Sequence, residues 1–225
     1  MAMMQERHYD ILRRHMVERI AILVELAADE LGKDRLGERV MEAMGRVPRH
    51  RFVPADIASV AYENTPLPIG FSKTISQPFI VAVMTDLLDP QPGATVLEIG
   101  TGLGYQAAVL AALAKRVFSV EAVEELALEA EKRLARLGVD NITIRVGDGS
   151  KGWAEHAPFD RIMVTAAPEL TPPALIRQLK PGGRMVLPAG RPDAQKLTVV
   201  DKDADGHSRT RQLLAVRFSA LETAM

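Results

Sequence analysis

Three acidic residues occupy comparable places in the chain: Glu98 in "VLEIGTGLG", Glu121 in "RVFSVE" and Asp148 in "RVGDGS". Each lies at or near the end of a short apolar run, next to a turn. A carboxylate there can take both hydroxyls of a ribose, meet an adenine amino group, or face a ligand amine. Each also has a structural alternative. The glycine loop's own N–H groups could satisfy Glu98, Glu121 could cap the following helix, and Asp148 could shape a turn. Three such carboxylates at three successive strand ends, all on one edge, exceed what caps alone require.

The loop after Glu98 holds Gly100, Thr101, Gly102 and Gly104. Its glycines let the backbone turn sharply and approach a ligand closely. Its spacing departs from the dinucleotide fingerprint, because Gly104 follows Gly102 by two and Tyr105 stands where a small residue is expected. A nicotinamide oxidoreductase is therefore disfavoured. Gly147 and Gly149 give the same freedom around Asp148. A second polar cluster, Ser72, Lys73, Thr74, Ser76 and Gln77, separates two apolar runs in "PLPIGFSKTISQPFIVAVMTDLL". Ser76 suits the N-cap of a helix running from about Pro78 to Leu88, and the same hydroxyl could meet a substrate.

These residues need elements to place them. "ATVLEI", "RVFSVE", "ITIRVGD", "FDRIMVTAA" and "RMVLPAG" read as strands. "YQAAVLAALA", "VEELALEAEKRLARLG" and "TPPALIRQL" read as the helices between them, with Gly138 a C-cap and "KPGG" a turn. Such alternation predicts a parallel sheet with helices on both faces. "KLTVVDKD" and "RTRQLLAVRFSAL" flank "ADGHS" as an antiparallel hairpin. Near the N-terminus, Ile11, Met16, Ile20, Leu23, Val24, Ala27 and Leu31 form an amphipathic stripe that Gly32 ends, and a second helix stops before Pro48. The stripe is expected to pack on the protein's own core; a homodimer contact is the alternative.

Composition narrows the function classes. The 225 residues suit one sizeable domain, with 47% hydrophobic and 25% charged residues. Twenty-eight basic against 29 acidic residues give a net charge of −1, and only 4% of residues are aromatic, so neither nucleic acid nor membrane is an expected partner. There is no cysteine, which excludes disulfides, thiolate metal sites and a cysteine nucleophile. The five histidines form no close-spaced set, and no metal is expected. The start "MAMMQERHYDILRRH" lacks a signal-peptide core, and "AAVLAALA" is too short to span a bilayer, so a cytoplasmic protein is expected.

"EIGTGLG", the acidic end of the second strand, "GDG" and "LKPGG" together resemble class I S-adenosylmethionine-dependent methyltransferases. The resemblance implies an α/β fold: a Rossmann-like, doubly wound, seven-stranded, mostly parallel sheet with an antiparallel C-terminal strand. Residues 1–48 would then be a helical extension packing on a methyltransferase domain over 49–225. S-adenosyl-L-methionine would be the cofactor and S-adenosyl-L-homocysteine its product. Glu98, Gly100, Thr101, Gly102, Gly104, Glu121, Gly147, Asp148 and Gly149 are the cofactor-binding candidates.

"RVPRHRFVP", "AYENTPLPIGFSKTISQPFIVAVMTDLL", "VLEIGTGLGYQAAVLA", "GDGSKGW", "FDRIMVTAAP" and "LKPGGRMVLPAG" narrow this further. In order and spacing, from about Val40 to Gly190, they resemble protein-L-isoaspartate O-methyltransferases. The resemblance implies methylation of the free α-carboxylate of L-isoaspartyl residues in damaged proteins and peptides, leading to repair through a succinimide. It makes Ser76 the active-site residue and Thr74, Ile75 and Gln77 cofactor contacts. Arg217 and Phe218 match a C-terminal substrate-holding strand, whereas Ser219 and Ala220 depart from its usual Val-Pro. That departure motivates an alternative, a methyltransferase of this class with a different carboxylate or small-molecule acceptor.

Overall fold

The computed structural model describes residues 2–222. Strands β3 (Thr95–Ile99), β4 (Arg116–Glu121), β5 (Ile142–Val146), β6 (Phe159–Val164), β7 (Leu179–Ala189), β8 (Lys196–Lys202) and β9 (Ser208–Ala215) form one seven-stranded sheet in the order β5-β4-β3-β6-β7-β8-β9. The first five of that order run parallel. The antiparallel pairing is confined to the C-terminal hairpin, in which β8 opposes β7 and β9 opposes β8. Strand β7 starts earlier than expected, at Leu179, and takes in the "KPGG" stretch. A two-stranded hairpin of β1 (Leu67–Gly70) and β2 (Lys73–Ile75) stands apart from the sheet.

Side-chain alternation along the buried strands feeds two cores. Val96, Val117, Met163 and Val186 join a core that also takes residues of α1 (Ala2–Leu26), α3 (Glu38–Arg46), α4 (Pro78–Leu88) and α5 (Tyr105–Ala111). Leu97, Ile99, Phe118, Val120, Ile162 and Val164 join the other, with Trp153 and with Leu175 of α7 (Pro173–Gln178). From the N-terminal stripe, Met16, Ile20, Val24 and Leu31 are buried in the first core, while Ile11 is 43% exposed. Gly32, at φ 71°, ends the stretch as expected, but the helix breaks at Ala27, so the stripe runs through α1 and a short α2 (Ala28–Leu31). No helix among the described residues is long and apolar enough to cross a membrane.

The chain runs outward from β3 to β4 and β5, then returns to place β6 against the other side of β3. Helices leaving in opposite directions at such a switch open a crevice beyond the carboxyl ends of the strands. That crevice holds the candidate site.

Candidate active site

A cavity of about 490 Å³ lies there, a size that accommodates a small-molecule cofactor. One wall is the strand edge, with Ile99, Gly100, Gly102, Val120, Glu121 and Thr165. A second wall comes from β2 and the start of α4, with Lys73, Thr74, Ser76 and Gln77. The third is the segment 215–222, which includes Arg217, Phe218 and Glu222.

The strand-edge wall is made by glycine geometry. Gly100 has φ 92°, and a Cβ there would lie 2.4 Å from Thr165 Oγ1. That hydroxyl donates to the Gly100 carbonyl at 2.7 Å, binding the end of β6 to the loop. At Gly102, φ is 55° and the N–H donates to Glu121 Oε2 at 2.7 Å, while Val123 N–H donates to Oε1 at 3.0 Å. Glu121 thus spans the loop and the entry of α6 (Glu124–Arg136), and its carboxylate still has lone pairs for a ligand hydroxyl. Gly149 lines the cavity and packs closely: a Cβ there would lie 2.2 Å from Ile99 Cγ2.

Glu98 behaves differently. It is fully buried and does not line the cavity. Oε2 accepts from Ser119 Oγ at 2.5 Å, and Ser119 in turn pairs with Thr101 Oγ1 at 2.6 Å. Oε1 has no partner among the described residues, so the loop's N–H groups do not satisfy this carboxylate. Burial pushes its pKa up to about 8, with the charge of Glu121 adding to the shift and the Ser119 hydrogen bond opposing it. Asp148 sits beside the cavity, not in its lining. It accepts from Ser150 N–H at 2.9 Å and Ser150 Oγ at 2.6 Å. Burial works against its charge, yet the bonds from Ser150 and Lys151 hold its pKa below the usual aspartate range.

Ser76 is not the helix cap that the local sequence suggests. Gln77 occupies the N-cap of α4 and Pro78 its first turn, and no side chain at the N-cap position makes the capping bond. The cap comes from elsewhere: Asn64 Oδ1 accepts Phe79 N–H at 3.0 Å, and Gln77 Nε2 donates to the Asn64 carbonyl at 3.0 Å. The Ser76 side chain therefore has no capping duty. Ile75 and Thr101 line a narrow side pocket of about 50 Å³ that shares Thr74, Ser76, Gly100 and Gly102 with the main cavity. Gly104 and Gly147 line neither; Gly104, at φ 96°, precedes α5 and packs toward Leu134.

The third wall depends on residues that sequence reasoning did not single out. Buried Gln195 accepts Phe218 N–H at 2.6 Å and donates to the Phe218 carbonyl at 3.0 Å. Ala167 N–H donates to Ser219 O at 2.8 Å, and Leu221 N–H donates to Ala167 O at 3.0 Å. The Ala167–Ala220 bridge thus uses the backbone groups flanking Ala220. Thr165 could have been found, since it follows the strand "RIMV" at the same carboxyl edge as Glu121. Gln195 carries no local signal.

A sequence model of the family described as protein-L-isoaspartate(D-aspartate) O-methyltransferase matches residues 18–224. The chain belongs to this family. It is 57% identical over 221 residues to protein-L-isoaspartate O-methyltransferase 1 of Polaromonas sp. (strain JS666), covering 98% of this chain and 94% of the relative. With protein-L-isoaspartate O-methyltransferase 2 of Syntrophobacter fumaroxidans it shares 55% over 214 residues, covering 95% and 87%. A solved protein-L-isoaspartate O-methyltransferase superposes with TM-score 0.77 at 28% identity, over 91% of this chain and 65% of that one. A Plasmodium falciparum structure in complex with S-adenosyl-L-homocysteine matches with TM-score 0.76 at 21% identity, over 95% and 98%, which establishes the shared fold.

Proposed function

We propose that this chain methylates the free α-carboxylate of L-isoaspartyl residues in proteins and peptides, using S-adenosyl-L-methionine, with Ser76 orienting the acceptor. The observation that carries the reading is the meeting of three walls in one cavity: the glycine loop with Glu121, the "TISQ" segment, and Arg217 with Phe218. The strand-edge wall suits the cofactor. Ile99, Val120 and Leu126 offer apolar surface for an adenine, Glu121 offers a carboxylate to a ribose, and Gly100 and Gly102 present bare backbone to the remainder. When bound, the cofactor supplies an electrophilic methyl group.

The acceptor carboxylate is ionised at neutral pH, so the site needs no strong base. The residues have to bring the carboxylate oxygen into line with the methyl group, and positioning is the main source of rate. Ser76, without a capping role, is available to donate a hydrogen bond to that carboxylate. Arg217 supplies a cation and Phe218 apolar surface for the peptide on the opposite wall. Glu98 and Thr101 act at one remove, through Ser119, by fixing the loop.

The test is methyl transfer from labelled S-adenosyl-L-methionine to paired peptides, one with L-isoaspartate and one with normal aspartate. Base-labile methylation of only the first is expected. Cofactor binding with no transfer to either would move the acceptor elsewhere. Ser76→Ala should lower kcat on the order of 10-fold or more while changing cofactor affinity less than about twofold. The reverse pattern would make Ser76 chiefly a cofactor contact.

A further inference from the structure

Lys73 and Glu222 form an ion pair across the mouth of the cavity, and both residues line it. Lys73 opens β2, three residues before Ser76; Glu222 lies just past the Ala167–Ala220 bridge. The pair is asymmetric: the lysine side chain is 22% exposed and the glutamate 55%. The cation is sheltered inside the site while its carboxylate partner is wet.

We propose that this pair is a latch opened by the substrate: Lys73 anchors the acceptor's carboxylate, and Glu222 holds that place until the acceptor arrives. The proposal rests on the function given above and adds a binding residue and an internal competitor to it. Three observations carry it. First, the pair is not needed to hold the C-terminal wall, which Gln195 and Ala167 already fix with two hydrogen bonds each. Second, an ion pair with one largely solvated partner contributes little, so exchanging one carboxylate for another on the same ammonium costs little. Third, the other acid among the described residues facing the cavity, Glu121, is engaged by the N–H groups of Gly102 and Val123, which leaves Glu222 as the exchangeable anion among them. With Glu222 displaced, Lys73 and Arg217 both face the incoming carboxylate.

The kinetics of such an anchor have a particular sign. The carboxylate loses its charge as the methyl group is transferred, so a cation bound to it favours the ground state at least as much as the transition state. An anchor of this kind lowers KM without raising kcat.

The experiment uses the full-length chain and an L-isoaspartyl peptide. It measures steady-state kinetics and, separately, peptide binding by titration in the presence of S-adenosyl-L-homocysteine. Glu222→Gln should tighten the peptide and lower KM by about threefold, the scale of an exposed ion pair. Lys73→Met should raise KM by about fivefold with no fall in kcat, and in that background Glu222→Gln should have no further effect. Cofactor affinity should be unchanged throughout. Weaker peptide binding in Glu222→Gln, unchanged binding, or an effect that persists without Lys73 would overturn the latch. Failure of the wild-type chain to prefer the isoaspartyl peptide over its aspartyl twin would overturn the acceptor assignment. The sign of the Glu222→Gln shift in binding would still decide whether the two carboxylates compete.

Discussion

Glu98, next to last in β3, and Glu121, last in the adjacent parallel strand β4, have opposite fates. The register pairs Glu98 with Ser119, so Glu121 lies two residues further along, level with the turn at Gly100. At about 3.3 Å per residue, that step separates a carboxylate sealed beneath the loop from one at the cavity wall. Glu121 meets two backbone N–H groups and keeps acceptor capacity; Glu98 meets one hydroxyl. Asp148, one strand further out, takes a third course and folds back onto its own turn. The lesson concerns depth: an acidic residue near a strand end reaches a ligand only if it clears the edge formed by its neighbours.

The sharpest way to break this comparison is at Glu121. Glu121→Ala removes the partner of Gly102 N–H and Val123 N–H and the carboxylate at the wall, and cofactor affinity should fall on the order of 100-fold by calorimetric titration. A loss under about threefold would place the ribose elsewhere.

Ser119→Ala tests the buried member. It leaves both Glu98 oxygens without a partner among the described residues, and unfolding stability should fall by about 2 kcal/mol in denaturant titration. Glu98→Gln should instead be close to neutral at pH 7, because a carboxyl with its pKa raised to about 8 is already mostly protonated there. The wild-type contribution has a definite sign. The folded state keeps a proton that the unfolded chain gives up above its model value of 4.5, so stability declines from there up to about pH 8. Glu98→Gln should flatten that decline. A variant whose stability still falls over the same window would assign the titration to another group.

The smallest effect is expected at Asp148. Asp148→Asn keeps an oxygen for Ser150 N–H and loses the charge opposite Lys151, at a cost of about 0.5 kcal/mol or less. Its pKa is depressed in the folded protein, so the wild-type contribution is present at neutral pH and lost only as pH falls below the usual aspartate range. Chemical unfolding of both forms at pH 7 and in strong acid, below the usual aspartate range, should show the difference closing in acid.

Much of this was legible because the signals are local. The alternation of "TVLEI" and "RVFSVE" with helical stretches predicts parallel strands, and β3 and β4 lie side by side in parallel register. Gly32 and the "ADGHS" turn also stand where their local chemistry puts them. What escaped was set by distant partners. Ser76 has the spacing of an N-cap, but Asn64, 15 residues before Phe79, supplies the capping oxygen, far outside the few residues that define a local cap. The C-terminal wall is held by Gln195, 23 residues before Phe218, whose backbone it bonds, and by Ala167, 53 residues before its bridge partner Ala220. For Glu98 a signal did exist. It is two residues short of the turn, whereas Glu121 is the last residue of its strand, and aligning the strand ends separates them.

The wall made by residues 215–222 has a consequence for how the molecule comes into being. Every other lining residue of the cavity falls between Pro66 and Thr165 or Ala166, so the site's last component leaves the ribosome roughly fifty residues after the rest. During synthesis the glycine loop, Glu121 and Ser76 can assemble while one side of the cavity is still missing. All three walls stand together only once β9 has paired with β8 and the segment beyond it has joined Ala167.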